Sequence, residues 1–430
     1  MTQQINQVKV YIESYGCSAN LADAEIIAGQ LLAAGYAIAQ SPSEADMNVI
    51  VTCTVKDPTY QRMVTRLKAL TSLGRPLIVA GCMPKTSREV IFRINRNASL
   101  IGPNSVDEVL EVAEHAIKGQ KVEALSDTYS KLHLPRLLRN PVVGVVQIAS
   151  GCLSSCSFCQ VKIARGKLKS FDEALILAEI SRLVGRGCRE IWLTSQDNGC
   201  YGKDKGSTLA DLLDKIAKLE SDFRVRVGMM NPTHIVDDVG RIVDTLREER
   251  FFKFIHVPVQ SGCNSVLSDM RRGYTREDFL NIVDEARRRI PALTLSTDVI
   301  VGYPTEEEEC FRETVALLEL VKPDVVNISR FSPRPGTKAY LLPHLPHGIV
   351  KQRSSTLHSL VRSISLERNR AWLGWRGEAL VDEEVRGAKI ARNIYYKPIL
   401  LYDSVNLGSY MQVEVKGATA ACLRGVVCQQ

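Results

Sequence analysis

Short apolar runs of strand type alternate with helical patterns over most of this chain, and no other feature narrows its fold as far. In the first hundred residues the runs are VKVYIES, MNVIVTC and PLIVAGC, separated by NLADAEIIAGQLLAAG and TYQRMVTRLKALTSLG. Gly35 stands where the first helix should stop. Such alternation builds a parallel sheet whose carboxyl ends gather at one edge, where open α/β sheets bind their ligands. Cys17 follows the first run, and Cys53 and Cys82 end the second and third. Cysteines 36 and 29 residues apart would then meet as one three-thiolate site. Separate burial of three thiols as small hydrophobes is the alternative. The equivalence of the three strand ends argues against it.

After a polar, proline-containing stretch, SKLHLPRLLRNP, which reads as a linker, the alternation resumes with VGVVQIAS, EIWLTS, RVRVGM, FIHVPV, LTLSTDVIVG and DVVNISRFS. Six repeats suggest a partial (β/α) barrel, whose chemistry sits at the C-terminal mouth of the strands. The first of these strands runs into GCLSSCSFCQ, with Cys152, Cys156 and Cys159. A structural zinc site closes with four Cys or His ligands, and no fourth is near in sequence. Three thiolates at short spacings in a loop suit a [4Fe-4S] cluster with one iron left open for a small molecule.

From Trp372 onward the pattern changes to short strands, RGEALVDEEV, ARNIYYKPILL, SYMQVEVKGAT and CLRGVVC, which suggest a small β-barrel of a kind often used on RNA. Tyr395 and Tyr396, with Arg392 and Lys397 beside them, are candidates for a stacking and phosphate-contacting surface; a small aromatic core is the alternative. Seven Lys or Arg against six Asp or Glu leave this segment without a strong basic patch. The fold expected is therefore α/β: a Rossmann-like parallel-sheet domain over 1–130, a partial (β/α)6 barrel over 142–370 and a small β-barrel over 371–430. At 430 residues, 45% apolar and 24% charged, the chain can bury several cores. It has no signal-peptide pattern and no run of about 18 apolar residues, so it reads as cytoplasmic with no membrane partner. Twelve cysteines in that setting point to metal ligands and scattered core thiols. Cys188, Cys200, Cys263, Cys310, Cys422 and Cys428 share no pattern and are expected to be packing residues. The charge of +7 permits an acidic partner without establishing one.

CLSSCSFC fits the CxxxCxxC signature of radical S-adenosylmethionine enzymes, with the aromatic Phe158 before the last Cys. With Cys17, Cys53, Cys82 and the terminal β-module, the whole chain resembles the methylthiotransferase family, which joins an N-terminal cluster domain, a radical barrel and a TRAM domain. ESYGCSAN, HVPVQSGCNSVLSDMRRGYTREDF, STDVIVGYPTEEE and SPRPGT extend the resemblance over nearly the full length. VTCTVKDPT, KIARGKLKS and RVGMMNP look like the archaeal and eukaryotic tRNA branch.

The resemblance implies 2-methylthiolation of N6-threonylcarbamoyladenosine at position 37 of tRNA. It implies two [4Fe-4S] clusters, one on Cys152, Cys156 and Cys159 that binds S-adenosylmethionine, and one on Cys17, Cys53 and Cys82 that carries the sulfur to be transferred. The radical is borne by the cofactor, which leaves no acid or base to name as catalytic. Phe158, Gln196, Arg272, Asp298 and Arg334 are the expected cofactor contacts, by their places after strands and in loops. The partners implied are tRNA and an electron donor such as ferredoxin or flavodoxin; the sulfur source is not legible. Methylthiolation of another tRNA adenosine or of a ribosomal protein side chain, and a non-catalytic iron-sulfur or RNA-binding protein, are the alternatives.

Overall fold

The computed structural model describes residues 7–428. Its N-terminal unit is a six-stranded parallel sheet of β1 (Lys9–Ser14), β2 (Ala37–Ile38), β3 (Met47–Thr52), β4 (Leu77–Gly81), β5 (Ser99–Ile101) and β6 (Glu123–Ala124), in the order β2-β1-β3-β4-β5-β6. The three expected strands lie side by side at its centre, and the short β2, β5 and β6 flank them. Every residue of β3 and β4 is buried, Asn48 and Thr52 of β3 included, as central strands covered on both faces are. Val49 and Val51 pack one face against Ile27 and Leu31 of helix Ser18–Ala33, while Ile50 packs the other against Met63 and Leu67 of helix Asp57–Thr71.

Helix Ser18–Ala33 is buried on nearly all sides, including Asn20, Asp23, Glu25 and Gln30. A helix that buries its polar side too must be covered twice, and its second cover is the barrel: Gln147 of the first barrel strand donates to Ala19 O and to Asp23. Residues 130–141, expected as a polar linker, form part of the same seam. Lys131 pairs with Asp23 at 2.6 Å and Arg136 with Glu179 at 3.1 Å, all four side chains wholly buried.

In the barrel, β7 (Val143–Gln147) continues through β8 (Ala149–Ser150), which pairs antiparallel with β9 (Lys169–Ser170). The remaining strands are β10 (Glu190–Thr194), β11 (Arg224–Val227), β12 (Phe254–His256), β13 (Thr294–Val301) and β14 (Val325–Arg330). They form two parallel three-stranded sheets, β11-β10-β7 and β12-β13-β14, linked by one parallel bridge, Val225 to Phe251. The six strands expected for the barrel are all present. Among the described residues no helix is long and apolar enough to cross a membrane.

The C-terminal unit is a closed barrel of β15 (Arg376–Val385), β16 (Ala388–Asn393), β17 (Pro398–Leu401), β18 (Tyr410–Ala418) and β19 (Leu423–Val427), in the order β15-β16-β17-β19-β18. The run ARNIYYKPILL, expected as one strand, is the end of β16, a turn and β17. That turn overturns the stacking-surface reading of its residues. Tyr396 sets its ring 4.8 Å from Phe252 and 5.0 Å from Phe254 and donates to Glu190 at 3.1 Å. Tyr395 lies on Trp372, Lys397 pairs with Asp324 at 2.7 Å, and Arg392 with Asp382 at 2.6 Å. Glu190, Phe254 and Asp324 stand at or just before the first residues of β10, β12 and β14. The turn therefore seats the module against the end of the barrel opposite the mouth: Tyr396 and Lys397 are spent on that seam, and Arg392 on Asp382 of β15.

Candidate active site

The loop between β8 and β9 is cinched by their two pairs, Ala149 with Ser170 and Ser150 with Lys169. Gly151 opens it at φ +79°, and a Cβ there would stand 2.0 Å from Lys167 O, so only glycine lets the two limbs close. Gln196, expected at a cofactor, accepts from Gly151 N at 2.7 Å and so holds the loop's first turn. Ser157 pins the middle, its N–H on Met270 O at 3.0 Å and its hydroxyl on Asp269 O at 2.8 Å. Phe158 packs against the apolar cluster that contains Cys263, Met270 and Tyr303. Arg272, nearly fully buried, donates to Cys156 Sγ at 3.1 Å and to Asn231 at 3.0 Å; it is placed on a cysteine of the loop rather than open to the cavity.

Burial, then the neighbouring Cys156 and Cys152, pushes the Cys159 thiol up to about 12. Cys152 is held below the ordinary thiol range, chiefly by a hydrogen bond with Cys200. Cys200, expected only to pack, thus stands against this trio and donates to Asp197 O at 3.1 Å. Cys263 and Cys310, also expected to pack singly, are paired as a disulfide with Cα atoms 5.0 Å apart; a contact between residues 47 apart in sequence leaves no spacing signature.

The second trio is assembled by strand ends. Cys17 follows β1 and caps helix Ser18–Ala33, Cys53 follows β3, and Cys82 follows β4 with its N–H on Thr52 O at 2.9 Å. Gly16, at φ +105°, would place a Cβ 2.8 Å from Cys53 Sγ, so the backbone closes on this thiol where a side chain would bar it. Asn20 ties the edge together, donating to Tyr15 O at 2.7 Å and Thr52 O at 2.9 Å. Burial, then Cys82 and Cys17, pushes Cys53 up to about 12. Burial raises Cys82 as well, against the pull of Arg165.

Residues beside the two trios meet across the seam. Ser18 Oγ meets Thr194 Oγ1 at 2.7 Å, Thr54 donates to Gln160, and Gln160 donates to Pro335 O at 2.7 Å. Arg334 reaches from the barrel to the N-terminal unit, with Val55 O at 3.1 Å, Asp57 at 3.7 Å and the ring of Tyr60 beneath it. Asp298 lies on the barrel wall with Asn327 at 2.8 Å and His256 at 3.1 Å. Burial alone would raise its carboxyl, but the hydrogen bond and charge of His256 and the Asn327 amide hold it below the usual carboxylate range. His256 and Asn327 also line a cavity of about 290 Å³ that ends on Tyr396.

Do these thiols suit a cluster? All six are free, and they stand in two groups of three. Among the described residues no three His, Cys, Asp or Glu side chains gather around a single-ion position. A polynuclear centre is gripped at its corner irons, so its thiolates stand apart around it. The donor set therefore fits.

The model of "Uncharacterized protein family UPF0004" matches residues 9–102, and that of the "Radical SAM superfamily" residues 146–318. A curated relative from Pyrococcus abyssi, named probable threonylcarbamoyladenosine tRNA methylthiotransferase, is 41% identical over 425 residues, 98% of this chain and 99% of the relative. The chain belongs to the threonylcarbamoyladenosine tRNA methylthiotransferase family. A Homo sapiens member is 34% identical, with 95% of this chain and 72% of that protein covered. Among solved structures, the radical S-adenosylmethionine methyltransferase TsrM from Kitasatospora setae shares the fold at 13% identity, with a TM-score of 0.59 over 78% of this chain and 77% of that one. The family is a radical S-adenosylmethionine one, which brings with it a [4Fe-4S] cluster and S-adenosylmethionine.

Proposed function

We propose that the protein converts N6-threonylcarbamoyladenosine at position 37 of tRNA to its 2-methylthio derivative, in the cytoplasm and with a small electron-transfer protein of the ferredoxin or flavodoxin kind as reductant. The observation that carries this reading is the contact, across one seam, of residues beside two cysteine trios, in a chain that aligns with family members almost end to end. Cys152, Cys156 and Cys159 would hold one [4Fe-4S] cluster, and Cys17, Cys53 and Cys82 a second. When bound, the first with S-adenosylmethionine supplies a radical able to take hydrogen from adenine C2, and the second supplies the sulfur.

The chain's own residues do the positioning. Gln196 fixes the first turn of the loop and Arg272 steadies Cys156, so that both are set before cofactor arrives. Phe158 packs the loop on its inner side, and Arg334 ties the N-terminal unit to the barrel. Asp298, held ionised, offers a carboxylate to the polar groups of the nucleoside or of S-adenosylmethionine.

The test is nucleoside mass spectrometry of tRNA after anaerobic incubation with reconstituted protein. Methylthio product is expected from the wild type. Cys156→Ala should lose both product and 5′-deoxyadenosine, whereas Cys53→Ala should lose product alone. A wild-type protein that makes 5′-deoxyadenosine but modifies no tRNA would refute the substrate.

A further inference from the structure

Arg165 is wholly buried. It ends the short helix Val161–Arg165 that follows Cys159, yet its side chain leaves the barrel and enters the N-terminal unit. Its Nη2 donates to Asn20 Oδ1 at 2.9 Å and to Asp23 Oδ2 at 3.0 Å. Asn20 is the residue that ties down Tyr15 and Thr52 beside Cys17 and Cys53. Nη1 is buried and has no hydrogen-bond partner. The helix that carries Arg165 packs on helix Met83–Thr86, whose N-cap is Cys82, so the guanidinium lies within the field of Cys82 and Cys17.

The charges here do not balance. Asp23 has two cations, Lys131 at 2.6 Å and Arg165 at 3.0 Å, all three without exposure, and its remaining neighbours Gln147 and Asn20 are neutral. One positive charge is left over in a buried seam, which is costly unless an anion faces it. Three thiolates exceed the charge of an oxidised [4Fe-4S] core by one, so a cluster on Cys17, Cys53 and Cys82 would present that anion.

We infer that Arg165, delivered by the radical loop of the barrel, is the counter-ion of the cluster held by the N-terminal unit and sets its reduction potential. This rests on the assignment of a second cluster to Cys17, Cys53 and Cys82. The loop that carries Cys159 for one site thereby carries the balancing charge for the other, and the N-terminal site is electrostatically complete only when the two units are docked. Arg165 is a positioning residue: it acts through Cys82 and the charge it opposes, and it needs no contact with substrate.

The experiment uses the full chain with Cys152, Cys156 and Cys159 replaced by Ala, so that about four irons on the N-terminal trio are the only ones measured. In an anaerobic redox titration followed by electron paramagnetic resonance, Arg165→Gln removes a positive charge and should disfavour the reduced state. The expected shift is at least tenfold in the reduced-to-oxidised ratio at fixed potential, ~59 mV downward for a one-electron couple. Arg165→Lys keeps the charge and should return most of the shift. Where Arg165→Gln fails to retain iron, the Lys variant decides: iron regained with Lys supports the counter-ion role, and iron equally lost with Lys overturns it. An unmoved potential in an iron-replete Gln variant also overturns it. If the parent triple variant holds no cluster, the second-cluster assignment itself is wrong, a result distinct from either outcome for Arg165.

Discussion

Asp23 is the carboxylate on which the seam between the N-terminal sheet and the barrel turns. It has no exposure and accepts from Lys131 at 2.6 Å and Gln147 at 2.7 Å on one oxygen and from Arg165 at 3.0 Å on the other. Asp23→Asn keeps its shape and strands both cations. Lys131 can escape by giving up its proton. Burial has already brought it down to about 8 with Asp23 in place, so neutrality at pH 7 is about one unit away, and one unit is ~1.4 kcal/mol. Arg165 has no such exit, because a guanidinium does not deprotonate in proteins. Its share is that of a broken buried pair, about 3–5 kcal/mol. The expected loss is the sum, about 4–6 kcal/mol. The assay is urea unfolding of the metal-free full chain at pH 7, followed by protease cleavage of the 130–141 seam as the two units part. With a slope of about 1–3 kcal/mol per molar, the midpoint should fall by more than about 1 M. Second-site changes sharpen the test: Arg165→Met in the Asp23→Asn background should recover most of the loss, and Lys131→Met only about 1 kcal/mol of it. A loss under about 1 kcal/mol, or recovery in the reverse order, would refute the division of charge drawn from the structure.

Burial and the nearby Glu190, opposed by Arg392, push Asp382 up to about 7. Its folded value lies above the unfolded one of about 3.9, so the stability it contributes is present below that pH and is lost as pH rises through 7. Asp382→Asn should flatten the fall in melting temperature between pH 5 and pH 8, and parallel curves for wild type and variant would count against the reading. Tyr396→Ala should cost about 3–5 kcal/mol of stability, as a core aromatic does, and leave tRNA affinity largely unchanged in a filter-binding assay; weaker tRNA binding with unchanged stability would put the ring on RNA after all. Gly151→Ala drives a Cβ into Lys167 O and should empty the radical loop of about four irons while the N-terminal trio keeps its own, measured by iron content and absorbance. Full iron in that variant would show that the loop can relax around the clash.

What the linear chain could settle on its own was local. β4 is a continuous apolar run and β3 holds Val49, Ile50 and Val51 in succession, because both their faces are covered, and such runs show in the sequence alone. The radical loop was equally plain, because its three thiols sit within eight residues, closer than any folding could rearrange. Cys17, Cys53 and Cys82 were reachable by one further step, since a parallel sheet leaves its carboxyl ends at one edge. The two- and three-residue strands β2, β5 and β6 were not, being too short to carry a period.

Tertiary structure decided everything that depends on a partner far away in sequence. Lys131 and Arg136 look like linker charges until Asp23, 108 residues earlier, and Glu179 are brought against them. Tyr396, Arg392 and Lys397 have the composition of an RNA-binding turn. Only the folded chain shows that their ring and charges already have buried partners, Phe254 and Asp324 on the docked barrel and Asp382 on the neighbouring strand of the module. Arg165 is the sharpest case: one residue in a row of basic ones, whose meaning comes from Asp23 and Cys82 on another unit. A sequence shows that a cation exists, but the free energy of burying it depends on which anion the fold sets beside it, and that choice is made across the seam.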